Sequence, residues 1–121
     1  MYEVETDRAR NLLVITFRER VGPAEVALGR AEVAAALEAM DPGFRLLTDL
    51  SGLDSMEYAC APEIQATMDL LRKNGVAAVV RVVPDPHKDI GLKVMSYFHY
   101  DRETPVLTFD SRAEALEKLS A

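Results

Sequence analysis

The segment Phe44 to Tyr58, FRLLTDLSGLDSMEY, carries an apolar run into a group of carboxylates and hydroxyls: Asp49, Ser51, Asp54 and Ser55. Asp85, His87, Asp110 and Ser111 follow other predicted strands, so a nucleophile, a base and an orienting acid could be drawn from one edge of a sheet. Hydrolysis needs a motif that positions the nucleophile, and none surrounds these residues. Asp85, Asp110 and Ser111 are better used as helix caps, and His87 in a first helical turn is better read as solvated. An aspartyl-phosphate site at Asp49 would also need an acidic pair after an early strand and a lysine after the last. The corresponding positions hold Arg18-Glu-Arg20 and Asp110-Ser111. Asp49 is therefore read as an aspartate that accepts hydrogen bonds from the backbone amides of its own loop. No catalytic set is assigned.

Metal chemistry is no better supported. His87 and His99 do not have the same-face spacing of helical ligands, Cys60 is the single cysteine, and no glycine-rich phosphate loop is present. No cofactor is expected. Arg81 interrupts the apolar run Val79 to Val83 and must pair or reach the rim of the sheet, since an unpaired buried charge costs several kcal/mol. The expected partner is Asp49, with Asp85 second, and such a pair could mark an anion site beside His87 and Tyr58. Tyr97-Phe-His-Tyr100 with Met56, Tyr58, Met68 and Met95 could line a groove for a small apolar ligand or a partner helix, although most such side chains fill cores.

The elements that must position these groups follow from periodicity. Tyr2 to Thr6 alternates like a half-exposed strand, Leu12 to Phe17 is a denser β-branched run, and the short polar Asp7 to Asn11 suits a reversal between them. Gly22-Pro23 opens a helix whose inward stripe is Val26, Gly29, Val33, Leu37 and Met40, and Asp41-Pro-Gly43 stops it. Gly29 on that stripe predicts a close approach of helix and sheet. A strand over Phe44 to Leu50 then gives way to a polar loop. A second helix from near Pro62 buries Ile64, Met68 and Leu71 and ends at Arg72 to Gly75. Val76 to Val83 is a strand covered on both faces. Asp85-Pro86 opens a third helix with Ile90, Val94 and Phe98 inward, Pro105 to Phe109 is the last strand, and Ser111-Arg-Ala-Glu114 is a capping box for a terminal helix burying Leu116 and Leu119.

The order ββαβαβαβα predicts an α/β domain over residues 1–121: a single mixed, mostly parallel five-stranded sheet with helices on both faces. The chain of 121 residues is 49% hydrophobic and 28% charged, enough for one core without a disulfide or metal staple. A net charge of −6 argues against nucleic acid as a partner. No apolar run is long enough for a signal peptide or membrane span, so the expected compartment is the cytoplasm. The exposed first strand and surplus apolar helix surface predict a homodimer.

At Asp49-Leu-Ser-Gly-Leu53, placed after two N-terminal strands, a helix and a further strand, the chain resembles the STAS domains, the family of the bacterial anti-sigma factor antagonists. It looks most like their divergent SpoIIAA-like branch, grouped under STAS/SEC14. The resemblance implies a non-catalytic regulatory domain that binds another protein. It also implies a phosphorylatable hydroxyl in an Asp-Ser segment, for which Ser55 after Asp54 is the nearest match and Ser51 the second. A carrier or sensor of a small apolar or anionic ligand is the alternative, and an enzyme the third.

Overall fold

The computed structural model describes residues 1–83, 89–90 and 105–120, with only the backbone at 89, 90 and 120. Strand β1 (Tyr2–Asp7) pairs antiparallel with β2 (Leu12–Val21) across a turn in which Asn11 takes a positive φ of 50°. Asparagine tolerates that left-handed conformation. Among the described residues every pairing from β2 onward is parallel: β3 (Arg45–Met56) lies beside β2, β4 (Ala78–Val82) beside β3, and β6 (Val106–Phe109) beside β4. The order across the sheet is β1-β2-β3-β4-β6, which makes β1 the edge strand the sequence implies. A two-residue β5 (Asp89–Ile90) pairs with the far end of β3.

Helix α1 (Pro23–Glu38) carries proline in its first turn, and Val26, Gly29, Val33 and Leu37 are buried as its spacing predicts. A 3-10 turn (Tyr58–Cys60) leads into α2 (Ala61–Lys73), whose Ile64, Met68 and Leu71 pack in the same cluster beneath α1. Helix α3 (Arg112–Ser120) covers the opposite face with Ala115 and Leu119, over Leu12, Val14, Leu47, Val80 and Val82. Helices on both faces of a mostly parallel sheet are thus observed. The close approach predicted at Gly29 comes from edge strand β1: a Cβ there would lie 2.0 Å from the Tyr2 ring. That ring also meets Phe17 edge-on, with centroids 5.0 Å apart.

Two expectations are corrected. The segment after Leu50 is no loop, because β3 runs on to Met56. Its register with β2 slips twice, so that Thr16 faces Asp49, Arg18 faces Gly52, Glu19 faces Leu53 and Arg20 faces Ser55. Each slip puts an extra residue on β3, a bulge that shifts the alternation by one. Leu50, Leu53 and Met56 are therefore all buried at a spacing of three, while Ser51, Gly52 and Asp54 are exposed between them. Such spacing hides a strand from a search for period two. Glu19 takes a positive φ of 57° between the slips. The second correction concerns the helix expected from Asp85-Pro86 through Ile90: Asp89–Ile90 is extended, supplying ladder partners to Ser55 and Met56 beyond the end of β4. The rest of that predicted helix, with Asp85, Val94, Met95, Phe98 and the Tyr97-Phe-His-Tyr100 aromatics, lies outside the described residues.

Candidate functional site

Beyond Asp49, the last residue of β3 paired to β4, strands β2 and β3 continue together as an overhang that β5 flanks at Ser55 and Met56, and the candidate site lies along it. Asp49 is 4% exposed and is held from both sides. Its Oδ1 accepts hydrogen bonds from the Ser51 amide at 3.0 Å and from the Ser51 hydroxyl at 2.6 Å. The first of these is the local backbone contact that the sequence assigns to Asp49. Its Oδ2 accepts from Arg112 Nη1 at 3.2 Å, and the same guanidinium nitrogen donates to Thr16 Oγ1 at 3.3 Å. Thr16 and Asp49 are register neighbours on β2 and β3, so Arg112 stands over both strands from the first turn of α3. The Ser111 hydroxyl caps that helix by accepting from the Glu114 amide at 3.2 Å, as half of the predicted capping box requires.

This arrangement replaces the expected Arg81–Asp49 pair. Arg81 faces Thr48 across the β3–β4 ladder, whereas Asp49 faces Val82. Residues opposite one another in a ladder share a face and successive residues alternate, so Arg81 and Asp49 point to opposite sides of the sheet. Arg81 instead donates from Nη2 to Thr108 Oγ1 at 3.3 Å, and its buried Nε has no hydrogen-bond partner. Arg112, not named from sequence, takes the role. Its placement depends on where α3 begins relative to the β2–β3 register, and the only local signal is its position directly after the Ser111 cap.

The other predicted residues divide along the overhang. Ser51 and Asp54 are exposed and Ser55 is half-buried. Ser55 shares a cleft of about 320 Å³ with Arg20, Val21, Gly22, Met56 and Glu57, at the start of α1. Within that cleft the Glu57 carboxylate oxygen would come within 3.1 Å of a Cβ built on Gly22, which holds the N-cap position of α1 without a side-chain cap. Tyr58, 59% exposed, stands in the 3-10 turn that follows. The structure thus brings Asp49 and Ser51 together with Arg112, and places Ser55 some way along the same strand. It puts Arg81 on the other face, and His87 lies outside the described residues. Cys60 is fully buried and donates to the Val21 carbonyl at 3.4 Å. Burial first and the Glu57 charge second push its thiol pKa up, the opposite of what a reactive thiolate needs. Among the described residues no group of histidine, cysteine and acidic side chains is arranged to hold a metal ion, and no helix is long and apolar enough to cross a membrane.

The fold is a SpoIIAA-like α/β fold. The chain superposes on the anti-sigma factor antagonist SpoIIAA in its unphosphorylated form with a TM-score of 0.67 at 16% identity, covering 100% of this chain and 99% of that one. The phosphorylated form of the Bacillus cell fate determinant SpoIIAA gives 0.66 at 16% identity, covering 98% and 99%. An uncharacterized protein with a SpoIIAA-like fold from Shewanella loihica gives 0.65 at 15% identity, covering 98% and 92%. At these identities the likeness is one of fold. Neither a family model nor a curated protein sequence matches the chain.

Proposed function

We propose that this chain is a non-catalytic regulatory domain that binds another protein along the β2–β3 overhang, with a serine there as its phosphorylation switch. The observation that carries the reading is Ser51: an exposed residue whose hydroxyl donates to a buried carboxylate, the other oxygen of which anchors Arg112 and, with it, helix α3. Its side chains are tied to one another in a way suited to presenting a surface. The solved structures of similar fold include an anti-sigma factor antagonist in unphosphorylated and phosphorylated forms, which supports a regulatory role for this fold here as well.

A phosphate on Ser51 would add nearly two negative charges and three strong acceptors beside Asp49. The carboxylate would repel it and Arg112 would be drawn to it, so the strut between α3 and the sheet would be remade at the surface a partner reads. Ser55 is the second candidate, since a phosphate there would meet Arg20 in the cleft but also Asp54 and Glu57. The test is phosphopeptide mapping of the protein isolated from its native host. A phosphorylated fraction at Ser51 or Ser55 is expected, together with faster amide exchange in the first turn of α3 in phosphorylated or Ser51→Glu protein. Unmodified serines under every growth condition, with α3 exchange unchanged in Ser51→Glu, would overturn the switch.

A further inference from the structure

Three residues cross the sheet in one line on the face opposite Asp49. Thr48 on β3, Arg81 on β4 and Thr108 on β6 are ladder partners, so their side chains share that face close to where β4 and β6 end. Burial falls along the line: Thr48 is 2% exposed, Arg81 is half-buried, and Thr108 on the edge strand is exposed. The hydrogen bonding along it does not close. Arg81 Nη2 donates to Thr108 Oγ1 at a long 3.3 Å, while the buried Arg81 Nε and the buried Thr48 hydroxyl have no hydrogen-bond partner among the described residues. Placing a guanidinium in an interior strand costs stability, and leaving its donors unmade adds to that cost. Unmet buried donors in a native protein call for a role outside the fold's own bonding, because local rules are broken mainly at functional sites. The C-terminal ends of parallel strands are also where α/β sheets take their ligands.

The donors define what they would hold. Nε–H and one N–H of Nη2 lie along the same edge of the planar guanidinium and can meet the two oxygens of one carboxylate side by side. The Thr48 hydroxyl, next to Arg81 in the ladder, supplies a third donor. One guanidinium balances one negative charge, and the ladder positions of β3, β4 and β6 on this face contain neither a second cation nor a carboxylate. Two residues earlier on each strand stand Leu46, Val79 and Val106, which belong to or pack against the main core cluster. We infer that Thr48, Arg81 and Thr108 form a binding site for a small monocarboxylate with a short apolar body. The ligand enters over exposed Thr108, sets its two oxygens on Arg81 Nε and Nη2, and accepts from Thr48. A phosphate dianion would be only half neutralised there and would lose solvation against aliphatic neighbours. The line lies on the other side of the sheet from Asp49 and Ser51, so the site stands independently of the serine switch.

Calorimetry and heteronuclear NMR on the intact chain test the site with isobutyrate, with phosphate and the neutral isobutyramide as controls at matched ionic strength. Isobutyrate is expected to saturate at millimolar or lower concentration and to shift the Arg81 Nε–H and Thr108 amide signals, whereas neither control saturates. Arg81→Met and Thr48→Val should each weaken isobutyrate at least tenfold, since a hydrogen bond to a charged group is worth about that factor or more. Because Arg81 Nε and the Thr48 hydroxyl bond to nothing among the described residues, the urea midpoint of Arg81→Met should stay close to wild type and that of Thr48→Val should hold or rise. Glu117→Gln on α3 should bind as wild type does. No saturable binding of isobutyrate, equal binding of phosphate, or affinity unchanged in Arg81→Met would overturn the inference. So would a marked loss of stability in Thr48→Val, which would assign that hydroxyl to the bonding of the fold itself.

Discussion

A single ladder step decides which arginine holds Asp49. The sequence places Arg81 and Asp49 on neighbouring strands, which is correct, but opposite neighbours are Arg81 with Thr48 and Asp49 with Val82. A shift of one residue reverses the face, and composition carries no register. Thermodynamic cycles read the difference directly. Arg112→Met should cost about 2 kcal/mol in urea unfolding, because Asp49 keeps the Ser51 donors but loses its counter-charge, and coupling between Arg112 and Asp49 should be of similar size. Arg112 is 32% exposed at its side chain, which keeps the cost below that of a fully buried pair. Arg81→Met should stay within about 1 kcal/mol of wild type, since it removes one long hydrogen bond and also an unpartnered buried Nε. Coupling between Arg81 and Asp49 should be close to zero; a coupling above about 1 kcal/mol would restore the pairing that the register excludes. Tyr2 gives a prediction in pH. Burial, then the Glu32 charge, push its phenol up from an ordinary 10.0, with Arg30 opposing, and its buried hydroxyl has no hydrogen-bond partner. The unfolded chain can therefore release this proton at a lower pH than the folded one. The contribution is present in full below about pH 10 and is lost as pH rises beyond it. Tyr2→Phe should leave neutral stability unchanged or slightly raised and should flatten the decline above pH 10, as followed by denaturation at stepped pH.

At the scale of elements, the starts of α1 and α3 were legible, whereas the helix expected from Asp85-Pro86 through Ile90 failed at its extended Asp89–Ile90 and the end of β3 was not marked. Pro23 after Gly22 and the Ser111–Glu114 pair act through local backbone chemistry, so each marks its helix without knowledge of the rest of the fold. The end of β3 depends on two bulges against β2, and a spacing of three between Leu50, Leu53 and Met56 has no strand meaning until those bulges are known. The same dependence hid the continuation of β2 through Arg18-Glu-Arg20. Gly29 shows a local choice overruled by packing. Alanine would gain about 1 kcal/mol in helix propensity. The Cβ would meet Cε1, Cδ1 and Cζ of Tyr2 at 2.0, 2.3 and 2.9 Å, so β1 or α1 must move. Gly29→Ala should therefore be destabilising by about 1–3 kcal/mol. Tyr2→Ala in the same chain should recover part of that loss, and thermal melts of the two singles and the double would show it. Additive losses would mean that the two residues do not meet.

For the whole molecule, the order of elements already specified a mostly parallel sheet, because right-handed crossovers leave few ways to join these strands and helices. The solved structures of similar fold agree with that architecture over nearly the full chain. The site was legible only in part. Asp49 and Ser51 stand out by composition, while Arg112, which joins them to α3, is 63 residues from Asp49 and reaches it only in the folded chain. The β2–β3 overhang is proposed as a protein-binding surface governed by a serine. It is tested most directly by photocrosslinking in the native host from a probe at Asp54, with a control probe at Glu117. A discrete protein adduct is expected from position 54, abolished or strongly reduced by Ser51→Glu, and none from position 117. Equal labelling from both positions, or an adduct indifferent to Ser51→Glu, would contradict it.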